Sequence, residues 1–433
     1  LILIYSHTLS NRLKYVTDLI FKTVLSIDCE LTDDLIYFQS KEIPKIAYTN
    51  NKETSSVYIH SDTILFETDV NQTLPVADKN YTDFPKFFAS NTTDFLGYDL
   101  FAMVFYFTSR YEEYIPTVTD NHQRFKAENS ISFQFNCLQK PFLNQAILDF
   151  SIRLNQLFPN LEFKKRNFNF LSTIDIDNAF AYSNKGFLRN FAGFTKDLAI
   201  LKLSAVKNRL ISILNEQKDP YNTFDIINQM SEETKTALHY FVLISDYSDY
   251  DKNPKFTNYN FQHLLKSLSE KFSIGLHPSY YSLSKLENIE IEKKRLHDIT
   301  LKPIKSARCH FLRLNFPKTY RSFIKNGITD DYTMIYASQC GFRTGLCMPY
   351  KWFDLERNEQ TELTIHTSVI MEGTLRDYNQ VNANNALNTS LQLMSEVKKY
   401  GGEFISIFHN DSFTKTNTEW IDLYKSILNE SKI

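Results

Sequence analysis

Four apolar, strand-length runs in this chain end in ionisable side chains, and that repetition constrains the fold more than any other feature. They are FNFLSTIDID (168–177), FSIGLH (272–277), SARCHFLR (306–313) and GEFISIFHN (402–410). Helical stretches lie between them, such as FQHLLKSLSEK (261–271) and NALNTSLQLMSEVKKY (385–400), the latter followed by Gly401 and Gly402 in C-cap position. Repeated helix-then-strand units with chemistry at the strand C-termini predict a β/α barrel, whose reactive groups gather on that face.

A chain of 433 residues exceeds one typical core, which predicts two domains: a small α/β domain of unknown role over 1–165 and a barrel over 166–433. In the first part LILIYS reads as a strand, and Leu13, Val16, Ile20 and Val24 mark one apolar helix face. KIAYT, SVYIH and TILFE read as further strands. A helix is expected from about Asp99 through LFAMVFYFTSRYEEY, with Gly97 before it, and a last one over PFLNQAILDFSIRLNQLF. The polar LEFKKRNFN suits the junction, and no catalytic constellation stands out before it. Asp246 to Tyr259 reads as a polar surface loop.

Several classes fall away on composition. A formal net charge of −2 leaves no basic footprint for nucleic acid. The most apolar internal run, Leu100 to Phe107, is far too short to span a bilayer. The opening LILIYSHTLSNRLK reads as a strand leading into a helix, not a signal peptide, although a trimmed chain leaves export open. Five scattered cysteines without a CxxC point to free thiols, a reducing compartment and a cytoplasmic location. The 36 Phe and 25 Tyr are mostly core material, though such rings also stack on sugars.

The chemistry sits at the strand ends. Asp175 and Asp177 are two apart, so a strand places them on one side, where two carboxylates repel unless a cation or proton intervenes. A metal ligand beside a general base would account for the pair; a solvated turn or helix cap would too. His277 ends an apolar strand and Pro278 stops it, which suits a zinc-like ion or a structural imidazole. Arg308 and His310 would share a strand face, offering a permanent cation that could orient a base and a second imidazole; an ion pair and a surface histidine are the bland counterpart. His409 closes a strongly apolar strand and is the natural candidate for a general acid. Each alternative is respectable singly; four such ends in one region are harder to dismiss.

These blocks resemble, in order, the motifs of the NodB-type polysaccharide deacetylases, a family of carbohydrate esterases. TIDID is similar to the first motif, usually TFDD, where the resemblance makes Asp175 the base and Asp177 a metal ligand. HPSYY resembles the His-Ser/Thr-x-x-His motif: His277 matches the first histidine, while Tyr281 stands where the second is expected. RCHF resembles the arginine-bearing motif, with Arg308 as partner of the base and an extra His310 available to replace the absent ligand. GITDDYTMIYASQCGFRTGLCMPYKWFDL resembles the fourth motif region, carrying Asp331 and the Gly341-Phe342-Arg343 turn. Ile370 to Leu375 resembles a block that commonly reads MDGTL, here with Glu372. Phe408-His409-Asn410 resembles the closing motif that carries the acid. TSRYEEYIP (108–116) and DNHQRFKAENS resemble the small N-terminal domain of a Bacteroidetes-type group of these proteins.

The resemblance implies a distorted (β/α) barrel of the NodB deacetylase type preceded by a smaller α/β domain. It also implies hydrolysis of N-acetyl groups on amino sugars of a polysaccharide or glycoconjugate. Asp177, His277 and His310 would hold a divalent metal, zinc first, with cobalt or nickel as alternatives. Asp175, Arg308, Asp331 and His409 would form the catalytic set, and the partner would be a carbohydrate bearing N-acetyl groups. The rival expectation is a carbohydrate-binding pseudoenzyme, on the strength of the broken second motif.

Overall fold

The computed structural model describes residues 1–432 apart from 52–56, 73, 76, 79–82, 91–93 and 165. Its two compact units are discontinuous in sequence. One comprises Leu1–Asn169, Gly341–Thr367 and Glu396–Glu403, the other Phe170–Cys340, Ser368–Ser395 and Phe404–Ile433. Lys165, at the boundary expected from the sequence, lies outside the described residues, as does Ser56 of SVYIH.

In the first unit, β1 (Ile2–Tyr5), β2 (Cys29–Thr32), β3 (Lys45–Tyr48) and β4 (Tyr58–Ile59) form a parallel sheet in the order β2-β1-β3-β4. Parallel neighbours need crossovers, and helix α1 (Asn11–Thr17), continued by a π-helical stretch to Val24, supplies the first. TILFE is not a strand: the Asp62 side chain accepts from Ile64 N and turns Thr63–Leu65 into a 3-10 helix. Helix α2 (Leu100–Thr108) is buried on every side, as an all-round apolar helix must be. It also stops six residues short of the expected end at Tyr114. Arg110 adopts a left-handed conformation there. That break lets Glu112 and Glu113 fold back onto the buried Arg110 guanidinium at 2.8 Å each, while Arg110 also donates to Arg343 O at 2.6 Å. Helix α3 (Phe142–Leu157) covers PFLNQAILDFSIRLNQLF as expected.

The second unit is a closed barrel. Its strands are β5 (Asn169–Ile176), β6 (Ala237–Val242), β7 (Ser273–Leu276), β8 (Ser306–Ala307) and β9 (Asp330–Met334). β10 (Tyr350–Asp354) and the start of β11 (Glu359–Met371), which pair antiparallel, belong to the first unit; the end of β11 and β12 (Glu403–His409) complete the barrel. The order β9-β8-β7-β6-β5-β12-β11 closes because β11 also pairs with β9. Helices α4 (Phe187–Ala199) and α5 (Leu203–Leu214) follow β5, and α6 (Glu287–Thr300) joins β7 to β8. Gly275 is demanded by close packing: a Cβ there would meet the Phe241 ring and Ser306 Oγ at 2.6 Å.

One expected strand is cut short. SARCHFLR is extended only over Ser306–Ala307, and His310–Leu312 forms a 3-10 turn with Phe311 in the left-handed region. Arg308 and His310 therefore do not meet through strand alternation. The Asp246–Tyr259 segment is a loop but not merely a surface one, because Asp251 and Asn253 within it are buried. The five cysteines are free thiols, and among the described residues no helix is long and apolar enough to cross a membrane.

The helix Ala383–Tyr400 ends in a Schellman-type turn, with Gly402 N donating to Val397 O at 3.2 Å and Gly401 at φ +61°. A Cβ on Gly401 would collide with the Arg166 carbonyl. Gly401→Ala is expected to lower unfolding free energy by about 2 kcal/mol or more, since strain and clash add. Denaturant unfolding of the two proteins checks this; equal midpoints would contradict it.

Candidate metal centre

Six chemically active side chains lie at or just past strand C-termini: Asp175 on β5 and Asp177 just after it, His277 after β7, Arg308 after β8, Glu372 after β11 and His409 on β12. Their convergence follows from barrel register, which pairs Asp175 with Phe241, Phe241 with Gly275, and Ala307 with Leu276.

Asp177, His277 and His310 form the tightest group, with one ligand atom from each lying within 4.8 Å of the others. His277 Nε2 stands 3.1 Å from Asp177 Oδ1, and His310 Nε2 stands 3.5 Å from Asp177 Oδ2. Donor atoms on a tetrahedral zinc-sized ion, with bonds of about 2.0–2.1 Å, are roughly 3.3 Å apart, so the spacing fits. Tyr281, at the position expected for the second motif histidine, is not in this group. It lies in the 3-10 turn Tyr280–Leu283 and is 39% exposed.

The imidazole tautomers are dictated by their partners. His277 Nδ1 faces Arg308 O at 2.6 Å, and a carbonyl can only accept, so Nδ1 carries the hydrogen. His310 Nδ1 faces Asp251 Oδ1 at 2.8 Å, with the same consequence. In the neutral state both Nε2 atoms thus present lone pairs toward the Asp177 carboxylate. Acceptors that close require a cation or protons between them. Asp177 Oδ1 is buried without a hydrogen-bond partner among the described residues, so a divalent ion would supply what the cluster lacks.

The electrostatics agree. Burial alone would push the Asp177 carboxyl up, yet His310, His277 and His409 hold it well below the usual carboxylate range. Burial disfavours the His310 cation, but Asp177 and Asp251 outweigh it and raise His310 to about 9. Surroundings that favour a proton on His310 Nε2 also favour a metal cation in its place.

Asp251 carries this arrangement, and the sequence alone does not single it out. Its Oδ1 accepts from His310 and from Tyr280 N (2.9 Å), and Ser248 Oγ donates to its Oδ2 (2.7 Å). Nothing in the polar run SDYSDYDKNPK distinguishes it from its exposed neighbours except the fold. Glu292 on α6 is likewise buried; its Oε2 accepts from Ser279 N at 3.0 Å, which fixes the turn after His277, and burial raises its carboxyl to about 7.

Beside the cluster lie two ion-paired assemblies. Arg308 is fully buried and donates through one amino group to Asp175 Oδ1 and Thr173 Oγ1 (2.7 Å each), and through Nε to Tyr332 O (3.0 Å). Its other amino group meets Ser368 Oγ at 3.3 Å, and its plane lies over the Phe241 ring, 4.4 Å from the centroid. Asp175 Oδ2 is left facing His277 Nε2 at 3.9 Å. Opposite them, His409 Nδ1 donates to Glu372 Oε1 at 2.8 Å and points Nε2 toward Asp177 Oδ2 at 3.8 Å. Burial would lower the His409 pKa, but Glu372, Asp177 and Asp175 raise it well above the ordinary histidine value. Glu372 also accepts from His409 N, Gly373 N and Ser412 Oγ. Asp331 is set apart: Tyr320 Oη and Thr333 Oγ1 donate to it at 2.7 and 2.5 Å, and burial raises it to about 6.

Because Asp251 orients His310 rather than touching the ion position, Asp251→Asn should weaken zinc affinity about 10- to 100-fold while leaving stoichiometry intact. Competitive chelator titration measures this, and unchanged affinity would contradict the assignment.

Residues 2–159 match the model of a family of unknown function, DUF7033. No curated protein matches the chain. Among solved structures, a Mycobacterium smegmatis protein provisionally described as a polysaccharide deacetylase matches at 12% identity and TM-score 0.40, over 62% of this chain and 86% of that one. A Bordetella bronchiseptica protein, provisionally described as a polysaccharide deacetylase involved in O-antigen biosynthesis, matches at 12% identity and TM-score 0.33, over 60% and 80%. A Bacillus cereus polysaccharide deacetylase matches at 10% identity and TM-score 0.30, over 62% and 89%. The barrel assignment rests on the strand order itself: the second unit is a distorted (β/α) barrel carrying an Asp/His/His group able to hold a divalent cation.

Proposed function

We propose that the chain is a metal-dependent deacylase that removes N-acetyl groups from amino sugars of a polysaccharide or glycoconjugate. The observation that carries this reading is the pairing of a guanidinium-clamped carboxylate with a carboxylate-clamped imidazole on either side of one Asp/His/His group. Amide hydrolysis needs that division: a base for the attacking water and an acid for the departing nitrogen. The sugar substrate is supported by the ordered motif resemblance of the sequence.

A divalent ion held by Asp177, His277 and His310 would acidify a water and polarise the acyl carbonyl. Asp175 takes a proton from the attacking water through Oδ2, because Oδ1 is fixed by Arg308. His409 gives a proton from Nε2 to the leaving nitrogen, so acetate and a free amine result. Glu372 keeps His409 in the orientation and charge state that this transfer requires. Asp331, expected from the sequence to be catalytic, is better cast as a positioning residue. It binds Thr333 Oγ1, which accepts from Cys309 N at 3.0 Å and so steadies the turn from Arg308 to His310.

Acetate release from N-acetylated glucosamine oligomers by the zinc-loaded protein tests the proposal. Asp175→Asn and His409→Ala are each expected to lower turnover by about 10²-fold or more, the usual worth of a positioned acid or base, with metal content preserved. Full activity in either variant would overturn the assignment. Oligomer binding without acetate release from the unaltered chain would favour a carbohydrate-binding protein.

A further inference from the structure

The excursion between β5 and the helix Phe224–Thr234 is unlike the rest of the barrel unit, because its helices bury almost nothing. No residue of α4 is buried, and Ser212 alone is buried in α5. Large apolar side chains instead face outward: Phe187 is 80% exposed, Leu188 82%, Leu201 79% and Leu214 87%. Phe191, Leu198, Leu203, Leu210 and Ile213 are exposed as well.

These positions are ordered. On α4, Phe187, Leu188, Phe191 and Leu198 fall within roughly a 100° arc at helical periodicity, with Arg189 and Lys196 on the far side. On α5, Leu203, Leu210, Ile213 and Leu214 share an arc of similar width. Residues 186–214 carry Arg189, Lys196, Lys202, Lys207 and Arg209 against the single acid Asp197, a net +4 within a chain whose total is −2.

The hairpin is a built element. Arg209 donates to Asp197 Oδ2 at 2.7 Å and Asn190 Oδ1 at 3.1 Å, and it packs where a Cβ on Gly193 would sit. At the root, buried Asp219 accepts from Ala181 N (2.7 Å), Tyr182 N (2.9 Å) and Ser183 N (2.8 Å) on one leg and from Tyr221 N (3.0 Å) on the other. Asn410, next to His409, donates to Asn178 O at 3.2 Å and Tyr221 O at 2.9 Å, so the root adjoins the candidate centre.

We propose that this hairpin docks the protein onto an anionic membrane surface, its apolar arcs entering the headgroup boundary and its lysines meeting acidic lipid. Helices of 13 and 12 residues are too short to span a bilayer but suit the interfacial plane. The charge distinguishes lipid from a second copy: two hairpins of like charge repel, whereas acidic headgroups attract this one. One consequence rests on the deacylase reading, namely that the amino sugars acted on are presented at a membrane surface. Docking does not depend on that reading.

Co-sedimentation of the full chain with phosphatidylcholine vesicles, with and without about 30% phosphatidylglycerol, tests docking alone. The unaltered chain is expected to sediment with the anionic vesicles. Two triple variants should each bind about tenfold less or weaker still: Phe187→Ser, Leu188→Ser, Leu214→Ser for insertion, and Lys196→Glu, Lys202→Glu, Lys207→Glu for charge. Circular dichroism confirms that both remain folded. Absence of sedimentation by the unaltered chain, or binding by either variant as strong as that of the unaltered chain, overturns the proposal. So does a dimer, seen by sedimentation velocity without vesicle binding, that the apolar variant dissolves.

Discussion

The apposition of the Asp177 carboxylate and two imidazole Nε2 atoms is the constraint around which the barrel's reactive face is organised. In the neutral state, three acceptors within a few ångströms repel one another, and only a cation or bound protons make the arrangement favourable. The surrounding structure holds it in place nonetheless. The Arg308 carbonyl fixes His277, Asp251 fixes His310, and Glu372 fixes His409. All three histidines thus have Nδ1 committed to an acceptor and Nε2 turned inward. Such outer partners are what set ligand orientation and basicity at metal sites.

Buried charge is managed by pairing throughout this face. Arg308, with no solvent contact, meets Asp175, Thr173, Ser368 and a main-chain carbonyl while lying on Phe241. An isolated guanidinium there would be prohibitive; distributed over these acceptors it becomes a rigid support for a carboxylate. Gly275 belongs to the same construction, because a side chain there would displace the ring beneath Arg308. The N-terminal unit uses the same device, with Arg110 and Arg343 holding Glu112 and Glu113.

What was legible in the sequence follows from periodicity. Strand alternation puts Thr173, Asp175 and Asp177 on one side, and apolar runs ending in His277 and His409 mark their strand ends. The barrel class is readable from the same pattern. His310 reaches the site by another route than strand alternation: the strand stops at Ala307 and the chain enters a 3-10 turn at His310, which pleat counting does not anticipate. Asp251 was illegible because its importance comes from a loop folding beneath His310, and loop composition carries no such signal. The left-handed break at Arg110 was hidden too, since YEEY has good helical propensity and only burial of the arginine reverses it.

The reactive face has the chemistry proposed for it only if Asp177, His277 and His310 together bind one divalent ion. Elemental analysis of the purified full chain, beside Asp177→Ala and His277→Ala, addresses it most directly. About one zinc-like ion per chain is expected, as a single three-residue site implies, with its loss in both variants. No retained ion after incubation with zinc, cobalt or nickel, or undiminished metal in both variants, would contradict it.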